Sequence, residues 1–471
     1  MAAFPMLIPL LHADSGARSS GALFRVLSDS NAALELRGGN AAAGAAPVGK
    51  LAPIKFGRVT VYGGDVSLSG LSENTRYEVT LHAVGRAAEL DRALVQTWPG
   101  ELRADGADFR LFLGSCFSLK TIRGGANLKG LHGKLWSSAP HLKVFCGDQV
   151  YLDIPLREPV PRDADALQEL ILAKYVTNWQ QDDQESHYGK LLRAGSSTFM
   201  SDDHEFWNNY PYTPFYKPAL RGLLDGRQLA TDFKQTALRA LGLFQQVPPG
   251  LRIFQLTKAE PSLTLITLDG RYARTPQAAH SPSDLSALCK ALRACRGPVI
   301  LVLSQPLFAD AHDGRLSNFL ATHITDRGLP DFPDYRTLVE AIAAFPHDVL
   351  ILSGDIHNGR IGAQRAQFGN RHVVYEVVAS PLSLVLPAAS FGSSVLESPY
   401  PDLDDDKPKY AAAGPNESFV RPPIQTNHGA LLSFSRLDRG FRVRVSHLRC
   451  DSGAPVSLKD DPATITLRSL P

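Results

Sequence analysis

Short apolar runs separated by turns occupy the first part of the chain. Five of them have the length and the flanking turn residues of β-strands: Ala22–Leu27, Ala33–Leu36, Ile54–Tyr62, Tyr77–Ala83 and Leu94–Thr97. Short strands that follow one another with turns between them are typical of a small β-sandwich. The pattern therefore predicts an all-β sandwich module over residues 1–105.

A different pattern begins after Gly106. Six apolar runs each lead directly into a polar loop and are predicted to be buried strands: Phe109–Leu113, Leu142–Cys146, Thr198–Met200, Leu263–Leu268, Val299–Leu303 and Val349–Leu352. Helical patterns lie between several of them: Asp163–Gln180, Arg227–Phe244, Ser283–Arg296 and Asp334–Phe345. Ser283 and Asp334 are the predicted N-caps of the last two. Strands that alternate with helices predict an α/β domain over residues 106–471, with a site where the C-terminal ends of the strands meet.

Composition agrees with a large folded protein and excludes several classes. Of 471 residues, 44% are hydrophobic and 20% are charged, which is enough to build a sizeable core. The 49 basic and 47 acidic residues leave a net charge of +2, so the sequence indicates no nucleic-acid-binding surface. The five cysteines are odd in number and form no CxxC pair, so we expect a reducing compartment and no disulfide framework.

The N-terminal residues carry no targeting signal that the sequence reveals. The apolar run within Met1–Ala13 has no basic residue before it, and no adjacent arginines are present there. No apolar run approaches the length of about 18 residues that a transmembrane helix needs. We therefore expect a cytoplasmic protein without a membrane span.

Two segments of biased composition interrupt the pattern. Gly38–Pro47 consists almost entirely of Gly, Ala and Asn, and it offers little apolar surface to bury. Asp402–Asp406 is an acidic run that is compatible either with calcium binding or with a solvated loop. The sequence leaves the role of the first segment open.

Several catalytic classes are excluded by missing motifs. The chain contains no GxxxxGK[ST] phosphate loop, no GxGxxG dinucleotide loop, no GxSxG nucleophile elbow and no HExxH zinc motif. His204-Glu205 is the nearest approach to the last, and it lacks the second histidine. Kinase, dehydrogenase, serine hydrolase and zincin functions are therefore not indicated.

Potential metal ligands follow several of the predicted strands. They lie in three short motifs: Gly147-Asp148-Gln149-Val150-Tyr151, Asp202-Asp203-His204-Glu205 and Ser353-Gly354-Asp355-Ile356-His357. Residues two apart in an extended segment share a face, so Asp355 and His357 are able to point into one cavity. Two metal ions about 4 Å apart activate water and hold both oxygens of an in-line displacement at phosphorus. The motifs therefore favour a binuclear hydrolytic site.

In this order the motifs resemble those of the PhoD-like alkaline phosphatases, which belong to the calcineurin-type metallophosphoesterase superfamily. The matching segments are Gly114-Ser115-Cys116, Gly147 to Tyr151, Asp202 to Glu205 and Ser353 to His357, with support from Leu268 to Arg271, Ser304-Gln305-Pro306 and Ser380-Pro381 after Glu376. The resemblance covers roughly residues 106–450, and a small β domain in front is usual in that family. Within that β module, Gly70–Leu81 resembles the end of a fibronectin-type domain.

The resemblance implies a four-layer α/β/β/α core with a ferric iron (Fe³⁺) and calcium ions (Ca²⁺) in the site; other divalent metals are possible at the second position. It implies that the iron ligands are Cys116, Asp148, Tyr151 and Asp355, with Asp148 bridging to a second metal. By the same resemblance Asp203 and His357 are ligands of that second metal. His204 is expected to orient the substrate or to protonate the leaving oxygen.

The chemistry of the residues leaves some alternatives open. Phenolate and carboxylate oxygens suit a ferric or calcium ion, whereas a thiolate suits iron better than calcium. Without the other motifs Cys116 would be interpreted as a buried free cysteine. Arg271 is able to bind a phosphate oxygen in a bidentate manner, or to form a surface or interdomain salt bridge. His204 would otherwise be a structural partner of a neighbouring carboxylate, and His428 either faces the site or is a capped surface histidine.

Taken together, these features predict a metal-dependent phosphoesterase of the alkaline phosphatase or phosphodiesterase type. It would hydrolyse small phosphate esters with a metal-activated hydroxide, and the motifs do not distinguish monoesters from diesters. Two alternatives remain: a catalytically silent binding or scaffold protein with this fold, and a binuclear hydrolase of non-phosphate esters. The sequence does not indicate an oligomeric state.

Overall fold

The structure is a computed structural model of the chain. It describes residues 4–12, 15–38, 45–102, 109–121, 124–154, 158–180, 186–212, 227–246, 250–309, 326–366, 372–383, 410–412, 424, 426–456 and 462–470. The acidic run Asp402–Asp406 and residues 39–44 of the Gly/Ala segment lie outside the described residues.

The larger sheet contains ten strands among the described residues. In spatial order they are β23 (Ala463–Arg468), β22 (Gly440–Arg449), β21 (His428–Leu437), β9 (Phe109–Gly114), β12 (Leu142–Cys146), β13 (Ser197–Met200), β1 (Met6–Leu10), β2 (Gly21–Ser28), β6 (Val59–Ser69) and β5 (Ala52–Phe56). Strands β9, β12 and β13 are parallel neighbours. Their C-terminal ends therefore meet at one edge of the sheet.

The second large sheet contains seven strands in the part of the chain that the structure describes. They are β14 (Leu251–Thr257), β15 (Leu263–Leu268), β16 (Val299–Leu303), β17 (Val349–Ser353), β19 (Val373–Val378), β18 (Arg360–Ala366) and β20 (Tyr410–Ala412). Strands β15, β16, β17 and β19 are parallel. The remaining described strands form two smaller sheets. One has four strands, β4 (Ala46–Pro47), β3 (Leu34–Gly38), β7 (Arg76–Ala83) and β8 (Glu89–Gln96), and the other has two, β10 (Lys120–Thr121) and β11 (Gly124–Gly125).

Helices are few and connect the strands. They are α1 (Ser15–Ser20), α2 (Lys129–Ser138), α3 (Ala164–Trp179), α4 (Tyr188–Leu192), α5 (Arg227–Ala240), α6 (Pro282–Ala294) and α7 (Tyr335–Ala343). The fold is thus mixed α/β with large sheets. No helix within the described residues is long and apolar enough to cross a membrane.

The predicted cap of α6 is wrong by two residues. Ser281, not Ser283, precedes the helix and accepts a hydrogen bond from the backbone N–H of Asp284 at 3.1 Å, with Pro282 in the first turn. Asp334 does precede α7, but its carboxylate accepts hydrogen bonds from the backbone N–H groups of Ala279 and His280. Its side chain therefore joins two loops and does not cap the helix.

Side chains on the two faces of each large sheet pack into different apolar clusters. Leu111 and Leu113 of β9 share one apolar cluster with Leu263 and Leu265 of β15, so this cluster contains residues of both sheets. Phe112 of β9 points the other way, into a cluster that includes side chains of α3 and α5. A third cluster joins the seven-stranded sheet to α6 and α7. Each sheet is therefore apolar on two faces, which explains the continuous apolar runs.

Several N-terminal strands continue the larger sheet. β1, which the pattern analysis did not predict, is fully buried and pairs in parallel with β13, where Leu10 lies opposite Ser197. The single strand predicted over Ile54–Tyr62 is wrong, because the chain turns at Gly57 (φ +61°) and forms the β5–β6 hairpin. The sequence also missed the two-residue strands β4, β10 and β11 and the longer strands β14, β18, β19, β20 and β23. The boundary at residue 105 lies outside the described residues and stays a prediction.

Candidate metal centre

The predicted ligand loops come together where the two large sheets meet. β9, β12 and β13 of the larger sheet lead to Cys116, Asp148 and Asp203, and β17 of the other sheet leads to Asp355 and His357. The loops are hydrogen-bonded to one another, since the N–H of Cys116 donates to the Gly147 carbonyl at 3.3 Å. The topology therefore assembles residues that are far apart in sequence at one place.

The backbone is unusual at the candidate ligands themselves. Nine non-glycine residues in the described part of the chain have a positive φ, and four of them are candidate ligands: Cys116 (56°), Asp148 (57°), Asp355 (69°) and His357 (53°). Left-handed backbone is sparsely populated by residues with a Cβ and occurs most often where a site demands it. The strand-end loops thus turn sharply at the residues that offer ligands.

One group of side chains joins the thiol, the phenol and an imidazole around Asp148. The Sγ of Cys116 lies 3.6 Å from Oδ2 of Asp148, and the Tyr151 hydroxyl lies 3.3 Å from the same oxygen. The Tyr151 hydroxyl is also 3.4 Å from Nε2 of His357. Ser380 supports this group, because its hydroxyl donates to Sγ of Cys116 at 3.2 Å and accepts the N–H of His357. These four predicted ligands, Cys116, Asp148, Tyr151 and His357, therefore lie in one site.

A second group consists of four carboxylates. Ligand oxygens of Asp148, Asp202, Asp203 and Asp355 all lie within 4.8 Å of one another. Asp202 was not among the predicted ligands, although it stands in the Asp-Asp-His-Glu motif. Its Oδ2 is buried and accepts no hydrogen bond from any described residue. A buried carboxylate oxygen without a donor is a costly arrangement, which a bound cation would relieve.

The titration behaviour reflects this crowding of negative charge. Burial, and after it the carboxylates of Asp203 and Asp202, raise the pKa of Asp148 well above its ordinary value. Burial and then the charges of Asp326 and Asp203 raise the pKa of Asp355 to about 7. A bound cation would therefore favour the ionised form of these carboxylates.

The thiol and the phenol respond in the same way. Burial, followed by the charges of Asp148 and Asp355, raises the pKa of the Cys116 thiol well above its ordinary value. Burial and Asp148 likewise raise the pKa of the Tyr151 hydroxyl. Both groups would ionise only beside a cation, because a metal ion deprotonates the thiol and the phenol that coordinate it.

His204 is held by a carboxylate that the sequence analysis missed. Its Nδ1 lies 2.7 Å from Oδ1 of Asp153, whose side chain is fully buried, and Oδ2 of Asp153 accepts the N–H of Asn208 at 3.0 Å. The ring of Tyr151 packs 4.0 Å from the ring of His204, centroid to centroid. The only sequence signal for Asp153 was its position, two residues after the predicted ligand Tyr151.

Asp203 is held by the turn that follows it. The backbone N–H of Asn209 donates to its Oδ2. Burial favours protonation of Asp203, but the charges of His204 and Arg271 and the Asn209 hydrogen bond outweigh burial, so its pKa is lowered. Asp203 is therefore the carboxylate of this group that ionises most readily.

Arg271 is fully buried and its guanidinium is occupied. Nε donates to Oδ1 of Asp202 at 2.5 Å, one terminal nitrogen donates to the Tyr210 carbonyl at 2.7 Å, and the other donates to Asp326. The salt bridge is therefore internal, not at the surface. The predicted contact with a phosphate oxygen stays a prediction.

Other residues named in the sequence analysis are hydrogen-bonded within the fold. Asp269 accepts the backbone N–H groups of Ser201, Arg271 and Tyr272. Gln305 donates to Asp355 at 3.0 Å. His428 is fully buried, so the surface-histidine alternative is wrong, and its Nδ1 lies 2.6 Å from the Thr426 carbonyl.

Comparisons with known proteins reveal a likeness of fold. A solved structure described as the structure of PhoD matches over 99% of this chain and 90% of its own, with a TM-score of 0.56 at 12% identity. The chain therefore has a PhoD-like fold. A second solved structure, GAP50, the anchor in the inner membrane complex of Plasmodium, matches over 78% of this chain and 90% of its own at 13% identity, with a TM-score of only 0.35. No protein-family model and no curated protein sequence matches the chain.

Proposed function

We propose that this protein is a metal-dependent phosphoesterase that hydrolyses small phosphate esters. The observation that carries the proposal is the buried group of four carboxylates, Asp148, Asp202, Asp203 and Asp355, with a thiol, a phenol and two imidazoles beside it. The PhoD-like fold supports the same conclusion. We further propose the four-layer α/β/β/α core and the N-terminal β-sandwich, for which the support is the set of apolar clusters between sheets and helices.

The residues fit a pair of metal ions. Cys116, Asp148, Tyr151 and Asp355 would hold a ferric ion, since thiolate, phenolate and carboxylate are suitable donors for it. Asp148, Asp203 and His357 would hold a second ion such as calcium, and the unpaired Oδ2 of Asp202 adds a candidate oxygen ligand. When bound, the metal ions supply Lewis acidity toward the phosphoryl oxygens and a nucleophile derived from water.

The chain's own contribution to proton transfer is the Asp153–His204 pair. Asp153 accepts a hydrogen bond from Nδ1 of His204, so Nε2 is the nitrogen left to exchange a proton with the leaving oxygen of the ester. The buried carboxylate also stabilises the protonated ring. His204 therefore serves as the proposed general acid, and Asp153 holds it in position.

The proposal has two rivals, and the geometry weighs against the first of them. A silent binding or scaffold protein with this fold would need no Asp–His pair beside the ligand loops. A binuclear hydrolase of non-phosphate esters would use the same residues and differs only in its substrate. The sequence does not indicate a preference between phosphate monoesters and diesters. The cytoplasmic location and the lack of a nucleic-acid-binding surface remain predictions from the sequence.

The proposal is tested with p-nitrophenyl phosphate and bis(p-nitrophenyl) phosphate as substrates, beside elemental analysis of the bound metal. We expect hydrolysis of at least one ester by the wild type, and a loss of about 100-fold or more after chelation or in Asp148→Asn. Asp65→Asn, which removes the charge of an exposed side chain paired with Arg25, is the control and keeps full activity. Activity that survives both chelation and Asp148→Asn would exclude this function, and turnover of carboxylic esters alone would favour the third hypothesis.

A further inference from the structure

The carboxylate of Glu205 connects the two loops that carry Asp148 and Asp202. Its Oε2 accepts the backbone N–H of Asp148 at 2.8 Å and that of Asp202 at 2.9 Å. Its Oε1 accepts the backbone N–H of Gln149 at 2.6 Å and the side-chain amide of Gln245 at 3.0 Å. Glu205 is fully buried, and within the described residues its carboxylate accepts hydrogen bonds from these four donors.

The connection lies where the two loops are in close contact. The first loop follows β12 and the second follows its parallel neighbour β13. A Cβ added to Gly147 would lie 2.3 Å from Cβ of Asp202, so only glycine permits this approach. Asp148 itself has a φ of 57°, which directs its N–H toward Glu205 while its carboxylate meets Cys116 and Tyr151.

The position requires a carboxylate for a chemical reason. The N–H groups of Asp148, Gln149 and Asp202 come after the strands have ended, where no neighbouring strand accepts them. An ionised carboxylate accepts at both oxygens, whereas the amide of a glutamine accepts at one and donates at the other. A glutamine at position 205 would therefore set a donor against at least one of these backbone donors.

We infer that Glu205 is a positioning residue for the metal centre: by accepting these N–H groups it holds the loops of Asp148 and Asp202 at the separation that metal binding requires. Glu205 is not itself a ligand in this assignment. The inference rests on the proposed function, because it takes these two loops to be metal-binding loops. Residues that orient metal ligands commonly change metal affinity by 10- to 100-fold when they are replaced.

The test compares Glu205→Gln with the wild type and with Asp348→Asn. Asp348 is a matched control because it is also a fully buried carboxylate that accepts backbone N–H groups, from Val373 and Arg468, both at 2.7 Å. It precedes β17, at the opposite end of that strand from Asp355. Each chelator-stripped protein is titrated with Mn²⁺ alone, free Mn²⁺ is measured by electron paramagnetic resonance, and thermal unfolding is measured without metal.

We expect Glu205→Gln to weaken Mn²⁺ binding by about tenfold or more, and Asp348→Asn to lower the unfolding temperature without this loss of affinity. Wild-type affinity in Glu205→Gln, or an equal loss in Asp348→Asn, would overturn the inference while the proposed function stands. A wild type that neither binds Mn²⁺ nor hydrolyses either ester would overturn the proposed function, and the inference with it.

A second variant decides the question if Glu205→Gln does not fold. Gln245→Leu leaves the carboxylate in place and removes one of its four donors. We expect Mn²⁺ binding to weaken by about threefold, as for the loss of one hydrogen bond that restrains the carboxylate. Unchanged affinity in Gln245→Leu would count against a positioning role for Glu205.

Discussion

At the scale of single residues, the candidate site depends on pairs that the motifs do not reveal. Four carboxylates lie close together in the site. Among the described residues, the guanidinium of Arg271 forms a salt bridge with one of them, Asp202. His204 in turn depends on Asp153. Each of these pairs has a specific consequence when one partner is removed.

Asp153→Asn tests the role of the Asp–His pair. The amide keeps the volume of the side chain but no longer stabilises a protonated His204, so we expect kcat to fall by about 100-fold with unchanged bound metal. Steady-state kinetics and elemental analysis measure the two quantities. The double variant with His204→Ala should be no slower than His204→Ala alone, and independent, multiplying losses would contradict the pairing.

Arg271→Gln separates the two roles considered for this residue. The substitution leaves the buried carboxylate of Asp202 and that of Asp326 without their cation, so we expect the free energy of unfolding to fall by about 3–5 kcal/mol. Urea denaturation of the metal-free protein measures this change. A residue that only contacts phosphate would instead raise KM and leave the unfolding free energy unaltered.

At the scale of elements, a buried ion pair joins strands of the N-terminal part to helices α3 and α4. Asp91 of β8 and Arg193, which follows α4, lie 2.7 Å apart and are almost completely buried. Asp91 also accepts the N–H of Leu7 in β1 at 2.7 Å. Arg193 donates to the carbonyls of Trp179 and Gly189. One pair thus holds β1, β8, α3 and α4 together.

Asp91→Asn should destabilise the whole fold. It leaves the Arg193 charge buried without its partner, and we expect a loss of about 3–5 kcal/mol in the free energy of unfolding. Glu78→Gln is the comparison, because the Glu78–Arg92 pair is exposed at 3.5 Å and should contribute less than about 1 kcal/mol. Similar urea midpoints for the two variants would exclude the structural role given to Asp91.

At the scale of the whole molecule, metal binding and stability are expected to be coupled through pH. The pKa of Asp355 is raised to about 7, so between about pH 4 and pH 7 the metal-free folded state keeps a proton that the unfolded chain has lost. Because the unfolded state binds fewer protons in this window, this group makes the free energy of unfolding decrease as the pH rises. A bound cation removes that penalty by stabilising the ionised carboxylate.

Metal removal should therefore destabilise the protein more at pH 8 than at pH 5. Calorimetry of metal-loaded and stripped protein at both pH values measures the difference in Tm. Asp355→Asn has no proton to lose at this position, so the stripped variant should show a weaker decline in Tm with rising pH. An equal effect of stripping at both pH values would contradict the coupling.

The sequence by itself determined the strands that are buried on both faces and the order of the ligand motifs. Leu142–Cys146, Leu263–Leu268 and Val299–Leu303 are strands with the predicted bounds, because continuous apolar runs that end at polar loops leave little freedom of assignment. The family resemblance implied that Cys116 and Asp148 share a site, and they lie together because both follow parallel strands of one sheet.

Only the tertiary structure decided which polar groups pair within the site. Arg271 and Asp202 are 69 positions apart, and Glu205 meets Asp148 across 57. No local pattern encodes such contacts, because they depend on how close two loops come after the sheets have packed. The joining of β1 to β13 was decided in the same way, since strand pairing depends on neighbours that are distant in the sequence.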